Sequence, residues 1–108
     1  MSSFNHSQVI DFVKSAEYST DGIVSKRVLE KSTGNVSLFA FDKGQRLSEH
    51  SAPFDAMIQV LEGEAEITID KKPYKVSAGE TIIMPANIPH AVFASERFKM
   101  LLTMIKGQ

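Results

Sequence analysis

In a chain with no cysteine, histidine is the residue best able to bind a metal ion or carry a proton near neutral pH. Two of the three histidines sit in stretches that open on glycine. His50 lies in GQRLSEHSAPFDAMIQVLEG, from Gly44 to Gly63, and His90 closes GETIIMPANIPH, which begins at Gly79. Without thiolates, a metal here can be held only by imidazole, carboxylate, amide or water. No Ser/His/Asp or Cys/His nucleophile set and no phosphate-cradling glycine loop can be assembled from this chain. The third histidine, His6, lies outside both stretches and reads as solvated.

Whether these residues can act together depends on the strands that carry them. Along a strand, positions i and i+2 point the same way, so His50 shares a face with Ala52. In the next run Phe54, Ala56, Ile58 and Val60 form an apolar face, opposite Asp55, Met57, Gln59 and Leu61. His90, Val92 and Ala94 form a third such face, behind a loop made rigid by Pro85 and Pro89. Both histidines are therefore predicted to face the interior from different strands, with Phe54, Ile58, Val60 and Val92 lining the space beside them. The carboxylates of Glu49 and Asp55 and the amide of Gln59 lie near in sequence. Alternation points them outward, so recruiting one to a metal needs a bulge or a flip.

Strand-like runs of this kind fill the chain from Gly22 onward, at 22–30, 35–42, 46–51, 54–61, 64–70, 73–77, 80–84, 90–94 and 97–105. Many short strands at regular spacing predict an all-β sandwich or barrel over 21–108, preceded by an arm over 1–20 that holds either a short helix or extended chain. GEAEITID alternates most cleanly, and Lys71-Lys72 is expected to turn the chain back into a strand opened by Pro73. In NVSLFAFD and RFKMLLTMIK both faces are apolar, so these strands need cover on both sides. A second copy of the chain is the expected cover, giving a homodimer, and the N-terminal arm is the alternative. The methionines Met57, Met84, Met100 and Met104 read as core filler.

Lys and Arg number 12 against 13 Asp and Glu, a formal charge of −1, which gives no reason to expect nucleic acid or an anionic membrane as partner. No apolar run approaches a bilayer span, and MSSFNHSQ lacks the layout of a signal peptide, so a cytoplasmic location is expected.

The two glycine-bounded stretches resemble the two motifs of the cupin superfamily, in its small single-domain, conserved-barrel form. Gly44, His50 and Gly63 with its lead-in VLEGE fall at the spacing of the first motif, and Gly79, Pro85 and His90 at that of the second. The 15 residues between Gly63 and Gly79 are near the shortest such spacing in small bacterial cupins. The resemblance covers 35–94 and implies a jelly-roll β-barrel. In metal-dependent members three His and one Glu hold iron, manganese, nickel, copper or zinc. Here the second His position carries Ala52 and the Glu position Ala56, while Asn87 and Ala94 stand where the family has Gly and Asn. Two of four ligands are thus implied, His50 and His90.

Three functions follow from that pattern. A small molecule could occupy the space left by the alanines, with the imidazoles as hydrogen-bond partners. A divalent metal (Zn, Ni, Fe, Mn or Cu) on His50 and His90 could serve a dioxygenase, isomerase or decarboxylase, with substrate or water completing its shell. A filled barrel would instead leave a regulatory or interaction module. The fold does not choose among these.

Overall fold

The computed structural model describes residues 4–106, and in it nearly all regular structure is β-strand. The strands are β1 (Ile23–Lys31), β2 (Gly34–Phe41), β3 (Arg46–His50), β4 (Asp55–Ile69), β5 (Lys72–Ser77), β6 (Thr81–Met84), β7 (His90–Phe93) and β8 (Phe98–Ile105). They pair antiparallel in the order β1-β2-β8-β4-β7-β3, with β5 and β6 also on β4. The sheet curls into the jelly-roll barrel implied by the sequence.

Two runs expected as separate strands, 54–61 and 64–70, form the single strand β4. A bulge between Val60 and Glu62 and a left-handed Gly63 (φ 81°) turn it from one layer of the barrel to the other. Its first half pairs with β8 and β6, and its second half with β5 and β7. The corner is held by Val60 N–H to the Glu80 carbonyl (3.0 Å), Gly79 N–H to Val60 (2.8 Å) and Ala78 N–H to Gly63 (3.1 Å).

The β4–β5 turn differs from expectation by one residue. Asp70 and Lys71 occupy it, both at positive φ (51° and 70°), and Lys72 already belongs to β5. Positive φ at both central positions is what a tight hairpin turn requires, and aspartate tolerates it better than most residues.

Inward alternation fills the barrel. Ile58, Val60, Ala65, Ile67, Val92 and Met100 pack with Phe41 and Phe98, whose rings stack at 4.5 Å. The outward apolar face of β2, with Leu101 of β8, is covered by the N-terminal segment. Phe4, Phe12, Ala16 and Tyr18 pack on Val28, Leu38, Ala40, Leu61 and Leu101. This segment is mostly turns and irregular chain, with one 3₁₀ turn at Val13–Ser15. The alternative reading of these two-faced strands is the one observed.

Polar contacts pin the segment in place. Buried Lys99 donates to the Val13 carbonyl (2.5 Å), and its ammonium lies over the Tyr18 ring. The Tyr18 hydroxyl donates to Glu62 (2.5 Å), and Arg97 stacks on its ring while binding Asp42 at 3.0 Å. Burial pushes the Tyr18 hydroxyl well above the usual tyrosine range, with the Glu62 hydrogen bond and charge adding to it. Tyr18→Phe removes one bond to a charged, partly buried acceptor and should lower stability by about 1–2 kcal/mol, read by urea denaturation. No helix among the described residues is long and apolar enough to cross a membrane.

Candidate functional site

Two loops define one end of the barrel. Residues 51–54 carry β3 into β4 and residues 85–89 carry β6 into β7, and Asn87 N–H bonds the Ala52 carbonyl (2.7 Å) to tie them together. Asn87 adopts φ 66°, the left-handed conformation for which the cupin motif uses glycine. His50 and His90, the last residue of β3 and the first of β7, are paired directly across the ladder at this end.

Alternation alone would pair His90 with Glu49. A register shift between Leu47 and His50 inserts one residue, turning His50 toward His90 and leaving Glu49 outside on an ion pair with Lys71 (3.3 Å). The Asp55 carboxylate is likewise engaged, accepting from Ala86 N–H at 2.8 Å. Neither carboxylate joins the histidines. Among the described residues no cluster of three or more His, Cys, Asp or Glu could hold a metal.

The two rings meet edge to face with centroids 4.4 Å apart and their Nε2 atoms 3.2 Å apart. Both Nδ1 atoms are already committed. That of His50 lies 2.7 Å from the Ser48 carbonyl and that of His90 3.2 Å from the Ile88 carbonyl. A carbonyl only accepts, so each Nδ1 must carry the proton. Two neutral rings then have none left for the contact between the Nε2 atoms, which brings two unprotonated nitrogens close together. The arrangement calls for one added positive charge between the rings, a proton or a metal ion.

Burial opposes the proton. His90 is 7% exposed, and its desolvation holds the imidazole below the usual histidine range; the His50 charge adds to this, and the Ile88 hydrogen bond works against it. A base with a depressed folded-state pKa binds fewer protons folded than unfolded. Stability is therefore full above the ordinary value of 6.5 and falls as pH drops through it toward the folded value. Metal-free protein should melt at a lower temperature at about pH 5.5 than at about pH 7.5, and His90→Phe should flatten that difference.

The residues read from the sequence as one site separate into two groups. His50 is exposed at the mouth, not interior as expected, because it is the last residue of β3 at the open end of the barrel. His90 is buried, and Phe54 is half-buried in the 51–54 loop. Ile58, Val60 and Val92 lie deeper, within the packed core. Ala56 is inward and Ala52 half-buried. Sequence reading passed over Asn35 and took Met104 as core filler. Asn35 shares a face with Ser37, Phe39 and Phe41, so a polar residue on a core-facing run was the signal that could have found it.

A family profile described as "Cupin domain" matches residues 37–105. Among solved structures, a conserved protein of unknown function from Streptococcus pyogenes is 41% identical, with 96% of this chain matched to 91% of that one at a TM-score of 0.91. A cupin 2 conserved barrel domain protein from Leptotrichia buccalis is 44% identical over 87% of this chain, at a TM-score of 0.85; the match spans 46% of that longer chain. A cupin superfamily protein from Desulfitobacterium hafniense is 25% identical, with 96% and 95% of the two chains covered at a TM-score of 0.90. No curated protein matches the chain.

Proposed function

Because the chain belongs to the cupin family, whose members place their chemistry inside one barrel, we propose that the His50–His90 pair is a binding site for a weakly held divalent metal ion and a small molecule that completes its shell. The observation that carries this reading is the approach of the two Nε2 atoms to 3.2 Å, with both Nδ1 atoms set against backbone carbonyls.

The donor set has the right span. Two imidazole nitrogens on one ion, each at about 2.0–2.1 Å, lie about 2.9–3.4 Å apart for bond angles between square and tetrahedral. The donor count is low, since catalytic metal sites usually have three protein ligands. The missing carboxylate is partly offset by position, because exposed His50 leaves the ion's charge near water rather than in an apolar cavity. These features fit an ion whose other positions fall to solvent or ligand oxygen. When bound, it would polarise such an oxygen as a Lewis acid. The chain's own residues supply the two nitrogens, hold their tautomers through Ser48 and Ile88, and close the barrel beneath them. Isothermal titration of metal-stripped protein with zinc should give close to one ion per chain, removable by a mild chelator. Absence of any zinc uptake would remove the metal from this reading.

The same reading includes a cytoplasmic homodimer. Its support is an uncovered apolar patch on the outer face of β4, β6 and β8, where Ile83 and Ile105 are each 63% exposed beside Met57 and Thr103. Light scattering should give twice the chain mass, and Ile83→Glu with Ile105→Glu should give the single-chain mass without unfolding.

A further inference from the structure

One buried polar atom at the mouth has no partner. Asn35 is 5% exposed, and its Oδ1 is closed to solvent and accepts no hydrogen bond among the described residues. Buried amide oxygens are almost always paired, so an unpaired one in a core-facing row asks for a function.

Register places Asn35 in the row opposite the histidines. Asn35 pairs with Met104, Met104 with Ala56 and Ala56 with Met84, which makes one inward row across β2, β8, β4 and β6. His50, His90 and Ile69 make the facing row on β3, β7 and the far half of β4. At the other end of the barrel, short arches lead β2 into β3 and β7 into β8, joined by Gly44 N–H to Ala94 (2.8 Å) and Ala94 N–H to Gln45 (2.9 Å). The arches set β2 across from β3 and β8 across from β7. Asn35 and Met104 therefore lie in the row opposite that of His50 and His90.

We propose that Asn35 is the second anchor for the ligand of the histidine pair, and that this ligand is a short hydroxy acid. The proposal rests on the reading of His50 and His90 as a binding site. At the histidine end the required added positive charge attracts a carboxylate. At the other end Oδ1 can only accept, so the ligand must bring an O–H or N–H donor. An ammonium would enter without a buried counter-charge, because the carboxylate of that row, Glu30, is exposed and already bound to Arg27 at 3.0 Å. A neutral hydroxyl loses less on leaving water. Facing layers of a barrel lie about 10 Å apart, so a ligand that reaches both rows must be short. Ile58 and Met100 close the space beneath, and flexible Met104 is the side chain best able to yield to an entering ligand.

The test compares 3-hydroxybutyrate with butyrate, and malate with succinate, on zinc-loaded protein by titration calorimetry. A hydroxyl can also touch zinc, so the decisive quantity is the hydroxy-to-deoxy affinity ratio in the native chain against that in Asn35→Leu. The native chain should prefer the hydroxy acid about tenfold or more, and Asn35→Leu should bring the ratio close to one. Asn35→Leu should also leave the melting temperature unchanged or raise it, since no bond is lost. His50→Ala should weaken all four acids together. Equal ratios in the native chain and Asn35→Leu, with His50→Ala still weakening binding, would overturn the role of Asn35 and leave the histidine site standing. A lower melting temperature for Asn35→Leu would make the amide structural. Failure of all four acids to bind would overturn the hydroxy-acid class, and zinc uptake alone would then report on the histidines.

Discussion

Gly63→Ala should yield no folded protein. Gly63 sits at the corner of β4, at φ 81°, where a residue with a side chain is already strained. A Cβ built on it would lie 1.8 Å from the Arg97 carbonyl oxygen and 2.8 Å from both the Arg97 carbonyl carbon and the Phe98 Cα. All three are backbone atoms of the β8 entrance, so no side-chain rotation relieves the clash. Phe98 cannot retreat, because it is fully buried and stacked on Phe41. The expected loss is about 5 kcal/mol or more, the whole stability of a marginal domain, and circular dichroism of the expressed chain would read it. Gly79 is the control. It has a similar φ of 88°, but a Cβ there meets no atom within 4 Å, so Gly79→Ala should fold with about 1 kcal/mol lost.

The second large effect concerns binding rather than folding. His50→Ala and His90→Ala should each reduce zinc affinity by about 100-fold or more, since loss of a mere supporting contact already costs 10–100-fold. Their effects on stability should differ. His50 is exposed, and its replacement removes the second unprotonated nitrogen, so that variant should melt close to the native protein. His90 is buried between Ile69 and the mouth, so His90→Ala also leaves a small cavity and should melt lower. His90→Asn keeps a polar group and much of the volume, and separates loss of the ligand from loss of packing. Retention of zinc by His50→Ala would move the site away from this pair.

Strand periodicity made most of the barrel legible. The inward set of Ala56, Ile58, Val60, Ala65, Ile67 and Val92 follows from alternation alone, because each run has one apolar face to bury. The corner at Gly63 was visible as a glycine between two runs, but not as a bend within one strand, because a bulge leaves no mark on composition. The covering of Leu38 and Leu101 by the arm was only the alternative to an expected second copy, for a similar reason. Two apolar faces show that cover is needed, without showing which segment supplies it. The site was legible as two histidines on separate strands. Their meeting depends on a one-residue register shift at the end of β3, which counting by twos cannot foresee. Asn35 was hidden differently, since its row forms only when β2, β8, β4 and β6 come together.

The central claim is that both Nε2 atoms are unprotonated and free to bind one ion. Long-range proton–nitrogen NMR of the imidazole rings, with and without zinc, tests it most directly. The predicted result is a protonated Nδ1 and a bare Nε2 in both rings of the metal-free protein near neutral pH, with both Nε2 resonances moving together on addition of zinc. The contradicting result is one ring carrying its proton on Nε2, donated to the other ring, with neither resonance responding to the metal.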